Sequence, residues 1–154
     1  MMNAPSSLGS RFRTSIACLI VIGLWACSAP DTFVRGTTGT ERGWATVVLR
    51  PGIEPDTAWG AVTDVLAKRF ELEMISRDGG YVRTGWIHEW WKVGEYTENY
   101  RVRAIAKFSP DWTTVDIRTD ANYLDGGKWV VGYDTRLLET VKTDIMGVVG
   151  RTTK

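Results

Sequence analysis

From residue 44 onward the apolar positions change period several times, and each change marks an element. Residues 44–50 (WATVVLR) are β-branched and short, which predicts a strand closed by Pro51-Gly52. Pro55 or Asp56 then starts a helix, since Pro suits the first turn and Asp the cap. Trp59, Val62, Leu66 and Phe70 recur at helical spacing, with Ala58 and Val65 beside them, and Lys68 and Arg69 complement the carboxyl end. Residues 71–77 alternate and put Leu72, Met74 and Ser76 on one face. Asp78-Gly79-Gly80 is a hairpin turn signal, so residues 81–91 return as a strand. Its faces are mixed. Val82 and Trp86 are read as inward, with a bulge or bend at Gly85.

Residues 92–98 are polar and read as a loop. Residues 100–108 alternate cleanly, with Tyr100, Val102, Ala104, Ala106 and Phe108 opposite Arg101, Arg103 and Lys107. Ser109-Pro110-Asp111 turns the chain into residues 112–120, with Val115 and Ile117 inward. The small Ala104 and Ala106 leave room for a helix to lie close on the sheet. Residues 121–132 read as a long Gly-containing loop with two apolar patches. Asp134 or Thr135 caps a last helix whose stripe is Leu137, Leu138, Val141, Ile145, Val148 and Val149, ending at Gly150. The predicted order is β-α-β-β-β-β-α. This is an α+β domain, an antiparallel sheet of about five strands with two helices on one face.

The first 43 residues follow another pattern. Arg11 and Arg13 precede an apolar run over residues 16–26, eleven residues long. A spanning helix needs about 20, whereas a signal-peptide core is this short. The two arginines are separated by Phe12, so they do not form a twin-arginine pair. The run ends in Leu24-Trp25-Ala26-Cys27. This Leu-x-Ala-Cys pattern resembles the lipobox of bacterial lipoproteins, with Trp25 bulkier than the usual occupant. The resemblance implies cleavage before Cys27 and acylation of its thiol and new amino terminus. Three acyl chains make release negligible, since each buried CH2 contributes about 0.8 kcal/mol. Ser28, rather than Asp, follows the Cys. By the enterobacterial sorting rule, this implies the periplasmic face of the outer membrane over the inner membrane. Residues 28–43 are rich in Ser, Thr, Gly and Pro and read as a flexible tether with an rms span of about 20–24 Å. The expected organisation is a signal peptide at 1–26, a lipidated Cys and tether at 27–43, and one α+β domain at 44–150.

Composition narrows the function. Taking Arg11 and Arg13 from 19 basic residues leaves 17 against 18 acidic, a net of −1, which gives no electrostatic case for nucleic acid. Cys18 leaves with the leader and Cys27 carries lipid. The expected mature domain therefore has no disulfide and is held by packing alone. Seven of the eight Trp lie after Cys27, so much of the core is expected to be aromatic.

A tethered domain of this order resembles the helix-grip domains of BamC, an accessory lipoprotein of the outer-membrane β-barrel assembly machine. The resemblance rests on Pro55-Asp56-Thr57-Ala58-Trp59, on the stretch from Asp78-Gly79-Gly80 to Gly85-Trp86, and on Tyr100-Arg101-Val102-Arg103. It covers about residues 44–150. BamC proteins carry two such domains and a long amino-terminal segment, so fold and location carry over and the partner does not.

Candidate chemistry is sparse. His88-Glu89 lacks the second His at i+4 that a zinc-protease helix needs; position 92 is Lys92. Gly126-Gly127-Lys128 lacks the spacing of a phosphate loop. Ser76 and Ser109 have no neighbouring His, and Asp116 and Asp120 share a strand face with Arg118 as surface ion pairs. No catalytic residue, metal or cofactor is expected. The remaining candidate is an aromatic cluster, Trp86, His88, Trp90, Trp91, Tyr96 and Tyr100, beside Arg83, Arg101 and Arg103. It is either core and sheet packing or an exposed platform for proteins or sugar rings. The candidate binding surface is Trp86, Trp90, Trp91, Tyr96, Arg101 and Arg103. Two functions are expected from this: a non-enzymatic interaction module with an envelope protein partner, or a module holding an amphipathic ligand or glycan between the last helix and the sheet.

Overall fold

The computed structural model describes residues 28–36, 43–92 and 94–151. The leader, Cys27 and residues 37–42 of the expected tether lie outside the described residues.

The elements are β1 (Phe33–Arg35), β2 (Trp44–Val48), α1 (Pro55–Ala67), β3 (Leu72–Ser76), β4 (Tyr81–Thr84), β5 (Tyr100–Phe108), β6 (Thr114–Asp125), β7 (Lys128–Asp134) and α2 (Thr135–Val149). The sheet runs β1-β7-β6-β5-β4-β3, and β2 also pairs with β6; every pairing is antiparallel. The α+β reading holds, but with seven strands rather than five.

Strand β6 organises the sheet. One edge pairs with β5 from Val115 to Tyr123. The other edge is divided, with residues 114–118 on β2 and residues 121–125 on β7. Its alternate residues Val115, Ile117, Thr119, Ala121 and Tyr123 are buried in the helix-covered face. They join Tyr100, Val102, Ala104, Ala106 and Phe108 of β5, Ala58, Val62, Val65 and Leu66 of α1, and Leu137, Leu138, Val141, Ile145 and Val149 of α2 in one core. The cysteine-free core is dense: Ala104, Ala106, Ile117, Leu137 and Ile145 are fully buried. Helix α1 begins at Pro55 with Glu54 at its cap, so Asp56 lies in the first turn and does not cap. Asp134 caps α2, accepting from Leu137 N at 2.7 Å.

Four expectations need correction. The stretch read as tether contains β1, whose Phe33 packs on Tyr100 and Tyr123 at 6.0 and 6.2 Å between ring centres. Residues 121–132, read as a loop, are the end of β6, a two-residue turn and most of β7. Gly126 and Gly127 have φ of +54° and +79°, the pair of positive values that a tight hairpin turn needs.

The strand expected over 81–91 ends at Thr84. Its hydroxyl, rather than a main-chain carbonyl, accepts from Ala104 N at 3.0 Å; the regular ladder is interrupted there and resumes only at the Ile87–Val102 bridge. The alternation that paired Trp86 with Val82 is thereby lost. Val82 is buried, whereas Trp86 lies on the opposite, helix-free face. Finally, a register shift between Leu72 and Met74 breaks the single face expected of β3. Leu72 packs against the core, while Met74 and Ile75 are exposed.

Candidate functional site

Helices cover only one face of the sheet. The other presents the odd residues of β5, the even residues of β6, and Trp44, Thr46 and Val48 of β2. At its centre Arg101 is clamped between two indoles, its guanidinium carbon 4.7 Å from the Trp86 ring centre and 4.4 Å from that of Trp129. Arg103 lies 4.5 Å from the same Trp86 ring, and Arg118 lies 5.3 Å from Trp44. Such contacts contribute about 0.5–1 kcal/mol each at exposed sites.

Carboxylates hold the flanking arginines. Asp120 Oδ2 accepts from Arg103 Nε at 2.9 Å, and Glu73 accepts from Arg83 Nε at 3.2 Å. Arg118 Nε lies 3.2 Å from Asp120 Oδ1 but is poorly aligned for a hydrogen bond, so its bond comes from Nη2 at 3.4 Å. Asp116 accepts from Thr46. Arg101 is different. Among the described residues it has no carboxylate partner; the Asn122 side-chain oxygen, in the orientation that satisfies both amide atoms, accepts from its Nη2 at 3.2 Å. The face carries Arg83, Arg101, Arg103, Lys107 and Arg118 against Glu73, Asp116 and Asp120, an excess of positive charge. Around this polar centre Trp44, Val48, Trp129 and Val131 are exposed apolar groups.

The structure therefore divides the six residues of the candidate surface. It brings Trp86, Arg101 and Arg103 together. Trp90 and Trp91 pack against the core on the helix side instead. Trp91 meets Tyr100 edge-on at 6.1 Å, and Arg136 of α2 covers Trp90 at 4.9 Å while donating to its carbonyl at 2.7 Å. Tyr96 is exposed and stacks on His88 at 4.9 Å rather than on an arginine. Trp44 and Trp129 belong to the face and were not among the candidates; Trp129 lay in the supposed loop. The one available signal was the Gly126-Gly127 turn, which makes residues 128–134 a strand.

Behind the sheet lies a buried polar knot. Asp134 is fully buried. Its carboxylate accepts from Tyr100 Oη at 2.6 Å, Thr32 Oγ1 at 2.7 Å and Leu137 N, while Thr119 donates to its carbonyl at 2.9 Å. Burial first, and then the adjacent carboxylate, push the Tyr100 phenol well above its ordinary value. Three donors satisfy the carboxylate without a nucleophile or a reachable substrate, so the knot is structural.

The other candidates resolve plainly. His88 Nδ1 lies 3.1 Å from Thr97 O, and among the described residues no cluster of His, Cys, Asp or Glu could hold a metal ion. Ser109 accepts from Thr113 N and Thr114 N inside its own turn. Beneath α2, Leu137, Val141, Ile145 and Val149 meet the sheet with no water-sized space left at their surfaces. Two concavities lie on the outer side of this helix, one along Thr135, Arg136 and Glu139 and one between α1 and α2 at Lys68 and Arg69. Among the described residues no helix is long and apolar enough to cross a membrane. No protein-family model and no curated protein matches the chain.

Proposed function

We propose that this chain is a lipid-anchored protein of the bacterial envelope whose domain is a non-catalytic protein-interaction module. It is held through Cys27 at the periplasmic face of the outer membrane and serves envelope assembly or maintenance. The lipobox-like Leu24-Trp25-Ala26-Cys27 supports the location, and the resemblance of residues 44–150 to BamC domains is in keeping with it. Arg101 carries the interaction reading. A cation clamped by two indoles, without a carboxylate of its own among the described residues and rimmed by exposed Trp44, Trp129 and Val131, suits an acidic segment of a partner protein. Sugar stacking is less well supported, because Arg101 already occupies the indole faces turned toward each other. A ligand between α2 and the sheet has no support in an interface that is already filled.

A photo-crosslinking residue at position 131, on the exposed rim, tests the surface in cells. One or a few envelope proteins are expected in the crosslinked product, and Arg101→Glu is expected to remove them. Crosslinking unchanged by Arg101→Glu would count against the surface. The anchor is tested separately by Cys27→Ser, which should abolish incorporation of labelled palmitate.

A further inference from the structure

The reading of residues 28–43 as a free tether conflicts with where this stretch sits. Pro30 is buried, and Ala29 packs against the core. Phe33 N donates to Pro30 O at 2.9 Å, and Thr135 N donates to Thr32 O at 2.9 Å. Thr32 Oγ1 reaches Asp134, β1 pairs with β7 along its length, and Gly36 N donates to Val131 O at 3.0 Å. Fit is tight as well: a Cβ on Gly132 would come within 2.6 Å of the Phe33 ring. The chain is thus fastened to the domain from residue 29 onward.

Only Ser28 and Ala29 lie between Cys27 and buried Pro30, three Cα-to-Cα steps in all. An extended chain covers at most about 11 Å in that distance. A free sixteen-residue tether spans about twice as much on average. A short fastened leash also fixes direction, because it leaves the domain at one corner. Thr32 marks this corner with Thr135, at the amino end of α2. Arg136 ties Trp90 and Trp91 to it. The exposed groups nearby are Asp31, Glu89, Lys92, Glu95, Tyr96 and Arg136. Their mixed charge gives no net attraction to an anionic surface, so leash length alone would hold the corner there.

We propose that β1 is an orienting strap. It presses the corner formed by Thr32, the start of α2 and the Trp90–Trp91 segment toward the lipid headgroups and keeps the Phe108–Trp112 end of the sheet away from them. This rests on a lipid at Cys27, so the test installs that lipid chemically. Cys27 is the only cysteine left once residues 1–26 are removed, and all described residues remain. Its thiol can be coupled to a maleimide-bearing lipid in a phosphatidylcholine nanodisc that also contains a nitroxide-headgroup lipid.

Seven Trp indole N–H signals then report distance by paramagnetic broadening. Trp90 and Trp91 should lose at least about threefold more intensity than Trp59 and Trp112. These report from opposite ends of β5, about 27 Å apart at 3.4 Å per residue. A Gly/Ser spacer of about a dozen residues between Cys27 and Ser28 adds an rms span of about 20 Å and should level the difference. Even broadening without the spacer, or a gradient that survives it, would overturn the strap. Palmitate labelling in cells reports on the anchor itself, so loss of either reading is seen separately.

Discussion

A carboxylate without solvent is costly unless donors surround it, and Asp134 has three. Asp134→Ala removes the cap of α2 and strands the Tyr100 and Thr32 hydroxyls together. A loss of about 3–5 kcal/mol is expected in urea unfolding, more than an exposed cap would give. Tyr100 adds a pH dependence with a definite sign. Its phenol is held protonated in the fold, above the value near 10 of the unfolded chain. Its contribution is full below pH 10 and is lost as pH rises beyond it, by up to about 1.4 kcal/mol per pH unit. Tyr100→Phe should cost about 1 kcal/mol at pH 8 and flatten that part of the decline. Urea titrations of both proteins between pH 8 and 11 check this.

Among the elements, β1 depends on a neighbour without a side chain. Gly132→Ala would set a Cβ into Val34 O and the Phe33 ring. Strand β1 should detach while the rest stays folded, seen as rapid proteolysis within residues 28–36 and an otherwise intact core.

Elements of this kind escape a reading of local pattern. Helices α1 and α2 and the β5–β6 hairpin were legible because their own periodicity places their apolar groups. Strand β1 has three residues amid Ser, Thr and Gly, and what holds it is Asp134, far along the chain. The β6–β7 hairpin was announced by Gly126-Gly127 but masked by the unbroken apolar run Trp129-Val130-Val131, which lacks the polar alternation of a half-buried strand. The candidate surface was legible in the same measure. Arg101 and Arg103 follow from the alternation of β5. Trp90 and Trp91 read as one strand with Trp86, but the ladder breaks after Thr84, resumes only at the Ile87–Val102 bridge and ends before Trp90 and Trp91, which pack against the core.

Taken whole, the molecule has one face built for stability and one available for contact. Trp86→Ala and Trp129→Ala therefore separate the two. Each should lower stability by about 0.5–1 kcal/mol, the scale of a cation–π contact, while greatly reducing crosslinking from position 131. Comparable truncation at Leu137 or Ile145 should cost about 2–5 kcal/mol in thermal unfolding.

The pairing of β1 with β7 and of β2 with β6 also sets the order in which this chain can assemble. A polypeptide delivered amino terminus first exposes Phe33, Trp44 and Val47 long before their partners arrive, about 70 to 100 residues later. Until Asp134 emerges, those early strands have sticky flanks and nothing of their own to join. Newly made chains should therefore need a holdase during that wait, and a rearranged gene that places β1 and β2 after α2 should shorten it.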